Sequence, residues 1–288
     1  MTLFIVVLIS VAAAFCNGLS AVLQRVAAAR EAPPQLFRRR FIVNLFQSKL
    51  WLIGAGFDIL GFLLQALALA FGALIVVEPS MTTDLIFIMV VLLLGYKVPV
   101  GKREWWSAAA ICVGLGGLLV VAQPRGGHLE FDVVKWVILS AVVALLIGLT
   151  IFVARRMPYG HARAAFTGLA TAANFALSAG LTKLAVDILK TDGIPAVLTS
   201  WELYGMIASM VISIVMIQNT YGAGSLVVSE PTLAITKPLF GVIIGMVMFG
   251  DSVSTTPLSL ALASIFVIIL GAGVVILSGS RRIIDSKL

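Results

Sequence analysis

Long apolar runs, each about 20 residues and nearly free of charge, recur from one end of the chain to the other, and they leave few folds open. At 1.5 Å per residue, a helical run of that length crosses the hydrocarbon core of a bilayer, roughly 30 Å thick. A membrane barrel would need short strands alternating at period two, and that pattern is missing. Composition agrees. Of the 288 residues, 60% are hydrophobic and 11% charged, against about 45–50% and 25% in soluble domains. The expected fold class is an all-α polytopic membrane protein.

The runs predict nine transmembrane helices. They lie near Thr2–Leu23, Leu50–Phe71, Ala73–Gly95, Glu104–Ala122, Asp132–Ala154, His161–Asp187, Ser200–Gln218, Gly222–Phe249 and Pro257–Ser278. The opening MTLFIVVLIS has no basic flank, its first cation being Arg25, so it reads as a mature helix and not as a secretory leader. Trp51, Trp105, Trp106, Trp136 and Trp201 all fall at predicted span starts, where amphipathic rings sit at a membrane surface. The net charge of +7 does not imply a nucleic-acid partner, because the cations sit between the apolar runs. Cys16 and Cys112 lie inside apolar runs and His128 and His161 in separate loops, so neither a disulfide framework nor a metal cluster is expected.

Two stretches recur at nearly constant spacing. LSAVLQRVA (Leu19–Ala27) returns as LSAGLTKLA (Leu177–Ala185), 158 residues on, and GALIVVEP (Gly72–Pro79) returns as GSLVVSEP (Gly224–Pro231), 152 residues on. The chain thus reads as a single domain, residues 1–288, with repeat one over 2–122, a connecting helix at 132–154 and repeat two over 161–279. The odd helix between them makes the repeats inverted, a construction that places a binding site where the halves meet.

A charged side chain at mid-bilayer costs about 2.5–3.5 kcal/mol on insertion scales, so each one calls for an account. The candidates for substrate or ion binding are Asp58, Gln65, Glu78, Asp84, Glu230 and Lys237. Glu78-Pro79 and Glu230-Pro231 are repeat mates. Each proline withdraws a backbone donor and clashes with the carbonyl four residues earlier, Ile75 or Val227. A carboxylate beside a loosened carbonyl suits a cation or a proton. Asp84 and Lys237 could also pair in a purely structural role. Pro231 and Pro238, one heptad apart, make the eighth span a candidate for a kink, and Gly241 and Gly245 beyond them permit close approach of a neighbour.

These features resemble the drug/metabolite transporter superfamily, of EamA-like type. The likeness is carried by the two related halves, by GLGGLLVVAQP in the fourth span and by its counterpart ILGAGVVILS in the ninth. The nine-span layout is similar to that of NIPA-type magnesium transporters, whose first-half pattern Trp51, Gly54, Gly61, Gln65, Ala66 and Val76-Val77-Glu78-Pro79 follows loosely. Phe62 stands where that pattern carries an acid after Gly61, and Gln65 where it carries Asn. Tyr96-Lys97 follows Gly95 where EamA-type chains often carry Glu, and Gly250-Asp251 comes nearer to that pattern.

The resemblance and the repeats together imply a multi-pass secondary transporter of the cell membrane, moving a small solute or cation by alternating access. A NIPA-like Mg²⁺ transporter is the alternative within the class, and a non-transporting membrane scaffold the alternative outside it. Glu78, Asp84 and Glu230 would bind cation or proton, while Lys237 would balance charge or hold an anionic group. The expected partners are a small-molecule or ion substrate and the lipid bilayer, with a homodimer left open and no nucleic acid. No enzyme motif, cofactor or resident metal site is expected.

The cations also set an orientation. One predicted side receives 15 of the 20 Lys and Arg residues, including Arg38, Arg39, Arg40, Arg155, Arg156, Arg281 and Arg282. The positive-inside rule puts that side in the cytoplasm and the amino terminus outside. A reporter active only outside the membrane should therefore be silent when fused after Leu288; activity there would overturn the orientation.

Overall fold

A computed structural model describes residues 3–30, 47–97, 100–127, 132–154, 156–157, 161–223 and 226–278. Eleven helices run through them: α1 Leu3–Arg30, α2 Lys49–Phe71, α3 Leu74–Met81, α4 Asp84–Tyr96, α5 Lys102–Ala122, α6 Val133–Ala154, α7 His161–Thr191, α8 Gly193–Thr199, α9 Trp201–Ala223, α10 Leu226–Phe249 and α11 Pro257–Ser278. Eight segments are long and apolar enough to cross a membrane, with α3 and α4 together forming one of them; a ninth is added if α8 and the start of α9, bent by 61°, count as one span. Leu94, Val120, Leu145 and Ile268 are each about 70% exposed or more. Side chains of this kind, spread over the long helices, suit hydrocarbon and not water. The chain is a multi-pass helical membrane protein.

Helix α1 packs along α2 and α4, α7 packs along α9 and α10, and α5 packs along α11. Backbone approach governs the last pair. A Cβ on Gly114 would lie 2.6 Å from the Leu270 nitrogen, and one on Gly273 would lie 2.8 Å from the Ser107 carbonyl oxygen. The α7–α9 contact is polar: Asn174 donates to the Ser209 carbonyl at 2.9 Å and to the Ser213 hydroxyl at 2.8 Å, and Thr171 and Thr220 share a bond of 2.8 Å. Such bonds hold helices together where the hydrophobic effect between them is lost. Helix α3 packs on α10 and on α1, near the middle of the core formed by Leu69, Leu74, Val77, Leu184 and Phe249.

Three sequence expectations change. Four of the tryptophans sit at helix starts with half-buried or exposed rings, but Trp136 is 1% exposed. It turns inward onto Phe249, ring centroids 5.6 Å apart, over Gly180, where the missing Cβ makes room. The last turns of the predicted sixth span extend beyond Asp187 to Thr191. The third predicted span is two helices, broken at Thr82–Thr83, whereas α10 runs as one helix through Pro231 and Pro238.

The break has a local cause. Pro79 removes a donor from the helix ladder, and the hydroxyls that follow it bond back to the main chain. Ser80 donates to the Val76 carbonyl at 2.7 Å, Thr82 to that of Pro79 at 2.7 Å and Thr83 to that of Ser80 at 2.8 Å. Backbone bonds there tighten to three-residue steps: Thr82 N–H to Pro79, Thr83 N–H to Ser80, Leu85 N–H to Thr82 and Ile86 N–H to Thr83. The positions 152 residues on are Ala234 and Ile235, which carry no hydroxyl, and the helix continues. Replacing Thr82 by Ala and Thr83 by Ile together should slow amide exchange at Leu85 and Ile86 by about five- to tenfold, the size of a hydrogen bond worth roughly 1 kcal/mol. Unchanged exchange would mean that Pro79 alone makes the break.

Candidate functional site

Glu78 is the fifth residue of α3, one place before the proline, and is 1% exposed. Its Oε1 accepts a hydrogen bond from the Gln65 Nε2 at 3.0 Å, from α2. Its Oε2 accepts none from the described residues although it is fully buried. The facing wall belongs to α10: a Cβ on Gly241 would lie 2.4 Å from Glu78 Cγ and 2.8 Å from its Cβ. Glycine at 241 is thus what admits the carboxylate side chain between α3 and α10.

Lys237, one turn before Gly241, is the cation whose charge acts on Glu78 and also on Asp58. Its ammonium stands 5.4 Å from the centre of the Phe175 ring of α7, close enough for a cation–π contact. Asp58 and Gln65 are seven residues apart on α2, two turns along one face, roughly 10 Å. Asp58 is exposed, and Gly56 beside it has open space where a side chain would be. Ionisable groups on membrane helices face protein or a watered cavity and not lipid. Asp58 is thus the exposed member of this set and Glu78 its buried, sealed end.

Four of the six sequence candidates, Asp58, Gln65, Glu78 and Lys237, come together from α2, α3 and α10. Asp84 belongs to another helix. It opens α4, half-buried, with its carbonyl oxygen 2.8 Å from where a Cβ on Gly18 of α1 would sit. Glu230 lies on α10, and its side chain is outside the described residues. Among the described residues no group of three His, Cys, Asp or Glu side chains is placed to hold a metal ion.

Sequence reasoning passed over a second set of charges. Lys183 donates to the Gly72 carbonyl at 3.0 Å, and Lys190 donates to the Ala70 carbonyl, with Asp187 between them on α7 near both cations. Both ammoniums meet the carboxyl end of α2, where helix carbonyls lack partners and the dipole favours positive charge. They also stand over the rings of Phe249 and Phe71, at 5.2 and 4.9 Å. Lys183 falls within the repeated LSAGLTKLA at the place of Arg25, which was the available signal.

No family model matches the chain, and no solved structure matches it. It is 27% identical over 248 residues to a protein of Corynebacterium glutamicum described as uncharacterized, an alignment that covers 85% of this chain and 84% of that one. The similarity runs through nearly the whole helical array.

The Gln65–Glu78 bond gives a direct check on the sealed end. Gln65→Leu should cost about 1–3 kcal/mol in reversible unfolding, because it leaves both carboxylate oxygens unpaired. Adding Glu78→Leu should recover most of that loss. Additive losses would show that the two side chains do not depend on each other.

Proposed function

We propose that this chain is a secondary transporter of the drug/metabolite transporter type, resident in the cell membrane, and that it moves a small solute or cation by alternating access. The observation that carries the reading is Glu78: a buried carboxylate with one unsatisfied oxygen, on a broken helix, facing a lysine from the other half of the chain. A purely structural carboxylate would be expected to have both oxygens bonded. An acceptor left open inside a membrane protein suits a ligand that comes and goes.

The charge balance narrows the cargo. With all three groups ionised, the carboxylates of Asp58 and Glu78 and the ammonium of Lys237 leave one negative charge, which one proton or one monovalent cation neutralises. A divalent ion would have to overcome the nearby ammonium, so magnesium is the weaker assignment. The repeats support the mechanism: Gly114 and Gly273, 159 residues apart, make the close contacts of α5 and α11, and the candidate site combines α2 and α3 of the first repeat with α10 of the second. Motion between the halves would uncover Glu78 and bury it again.

Proteoliposome flux tests the reading. Organic amines, neutral metabolites and Mg²⁺ would each be presented with and without a proton gradient. Glu78→Gln should abolish the flux that wild type supports, by tenfold or more. Gly241→Val, which fills the space of the carboxylate, should do the same, while Asp132→Asn, on an exposed helix start, should not. Flux that survives Glu78→Gln, or a folded wild-type protein that moves none of these solutes, would sink the proposal.

A further inference from the structure

The α3 helix begins with a gap in its own capping. Ala73, at its N-cap, has no side-chain acceptor, yet the first N–H groups of a helix have no partner inside it. The acceptor comes from 176 residues away. Asp251, 5% exposed, receives the Ile75 N–H on Oδ2 at 3.2 Å and the Gly127 N–H on Oδ1 at 3.2 Å. Its position is itself fixed: Gly250 turns the chain at φ +67°, and the Asp251 N–H donates to the Gly245 carbonyl at 3.0 Å. A Cβ on Gly245 would lie 2.7 Å from Asp251 Oδ2, and one on Gly127 would lie 2.1 Å from the Phe249 carbonyl oxygen, so the three strands of backbone meet only where side chains are absent. Beside them Arg125 and Ser252 exchange two backbone bonds, of 2.9 and 3.0 Å, and the Ser254 N–H reaches the Ala122 carbonyl at 2.7 Å.

Ile75 joins the clamp to the proline. Its N–H is held by Asp251, and its carbonyl is the one that Pro79 prevents from bonding along the helix. The first turn of α3 is therefore held from outside the helix as well as by its own ladder, and Glu78 is three residues further on. We infer that Asp251 is a latch: a positioning residue of the second half that clamps the Glu78 helix of the first half, and whose release opens the sealed end of the site. The meaning of that opening rests on Glu78 being the working carboxylate; the clamp itself does not.

Thiol accessibility tests it without a substrate. In a background with Cys16→Ala and Cys112→Ala, Ser80→Cys places a reporter at a fully buried position on α3, and Ala176→Cys places a control at an equally buried position on α7. Each is labelled in proteoliposomes with a small hydrophilic methanethiosulfonate. Adding Asp251→Ala should accelerate labelling at the Ser80 reporter about tenfold or more, the scale of losing a charge-assisted hydrogen bond, and leave the Ala176 control unchanged. No acceleration at the Ser80 reporter overturns the latch. Equal acceleration at both positions overturns it too, since it would mean general loosening. Should the alanine variant not be recovered folded, Asp251→Asn carries the same comparison, because its amide keeps one acceptor and loses the charge. A protein that moves no solute can still show this labelling difference, so the latch and the transport reading fail separately.

Discussion

Inside a bilayer every backbone N–H and C=O must find its partner within the protein, and Pro79 breaks that condition beside a buried carboxylate. Most of the surroundings can be understood as repairs. Ser80, Thr82 and Thr83 return hydroxyl bonds to the carbonyls around the break. Asp251 supplies the acceptor that the first turn of α3 lacks. Gln65 satisfies one oxygen of Glu78, and Gly241 yields the space for its side chain. The remaining oxygen is left without a partner among the described residues, and it lies where helices from the two ends of the sequence converge.

The two halves handle the same dipeptide differently, and the difference is chemical. Glu-Pro occurs at 78–79 and again at 230–231, but only the first is followed by hydroxyls three and four residues beyond the proline. In the second half, Ala234 and Ile235 offer the backbone no competing bond, and α10 continues as one helix that carries Lys237 and Gly241 to the site. One half thus supplies a short, externally held segment and the other a continuous rod against it.

Much of the architecture was legible in the sequence. Apolar run length gave the helices, because in a bilayer length and hydropathy are set by one physical dimension. The polar residues in those runs drew attention to Glu78, Lys237, Asp58 and Gln65, along with Asp84 and Glu230, because polar groups in hydrocarbon are costly. What stayed hidden depended on contacts across long sequence separations. Trp136 reads as an interfacial anchor until Gly180 and Phe249 are placed around it. Lys183 and Lys190 read as ordinary cations until the carbonyls of Gly72 and Ala70 are set before them. The break after Met81 was hidden for a different reason: proline alone does not distinguish a kink from a break, and the deciding hydroxyls look unremarkable in a hydropathy pattern.

The charges form two groups with opposite logic. Lys183 and Lys190 spend their hydrogen bonds on the last carbonyls of α2, and Asp187 lies between them, so the group is committed to holding α7 against α2. Lys237 is not committed in that way. It lies over the Phe175 ring, and its charge bears on two carboxylates, one exposed and one buried. One group of cations thus ties two helices together, while Lys237 brings a charge of α10 to the neighbourhood of the buried carboxylate on α3.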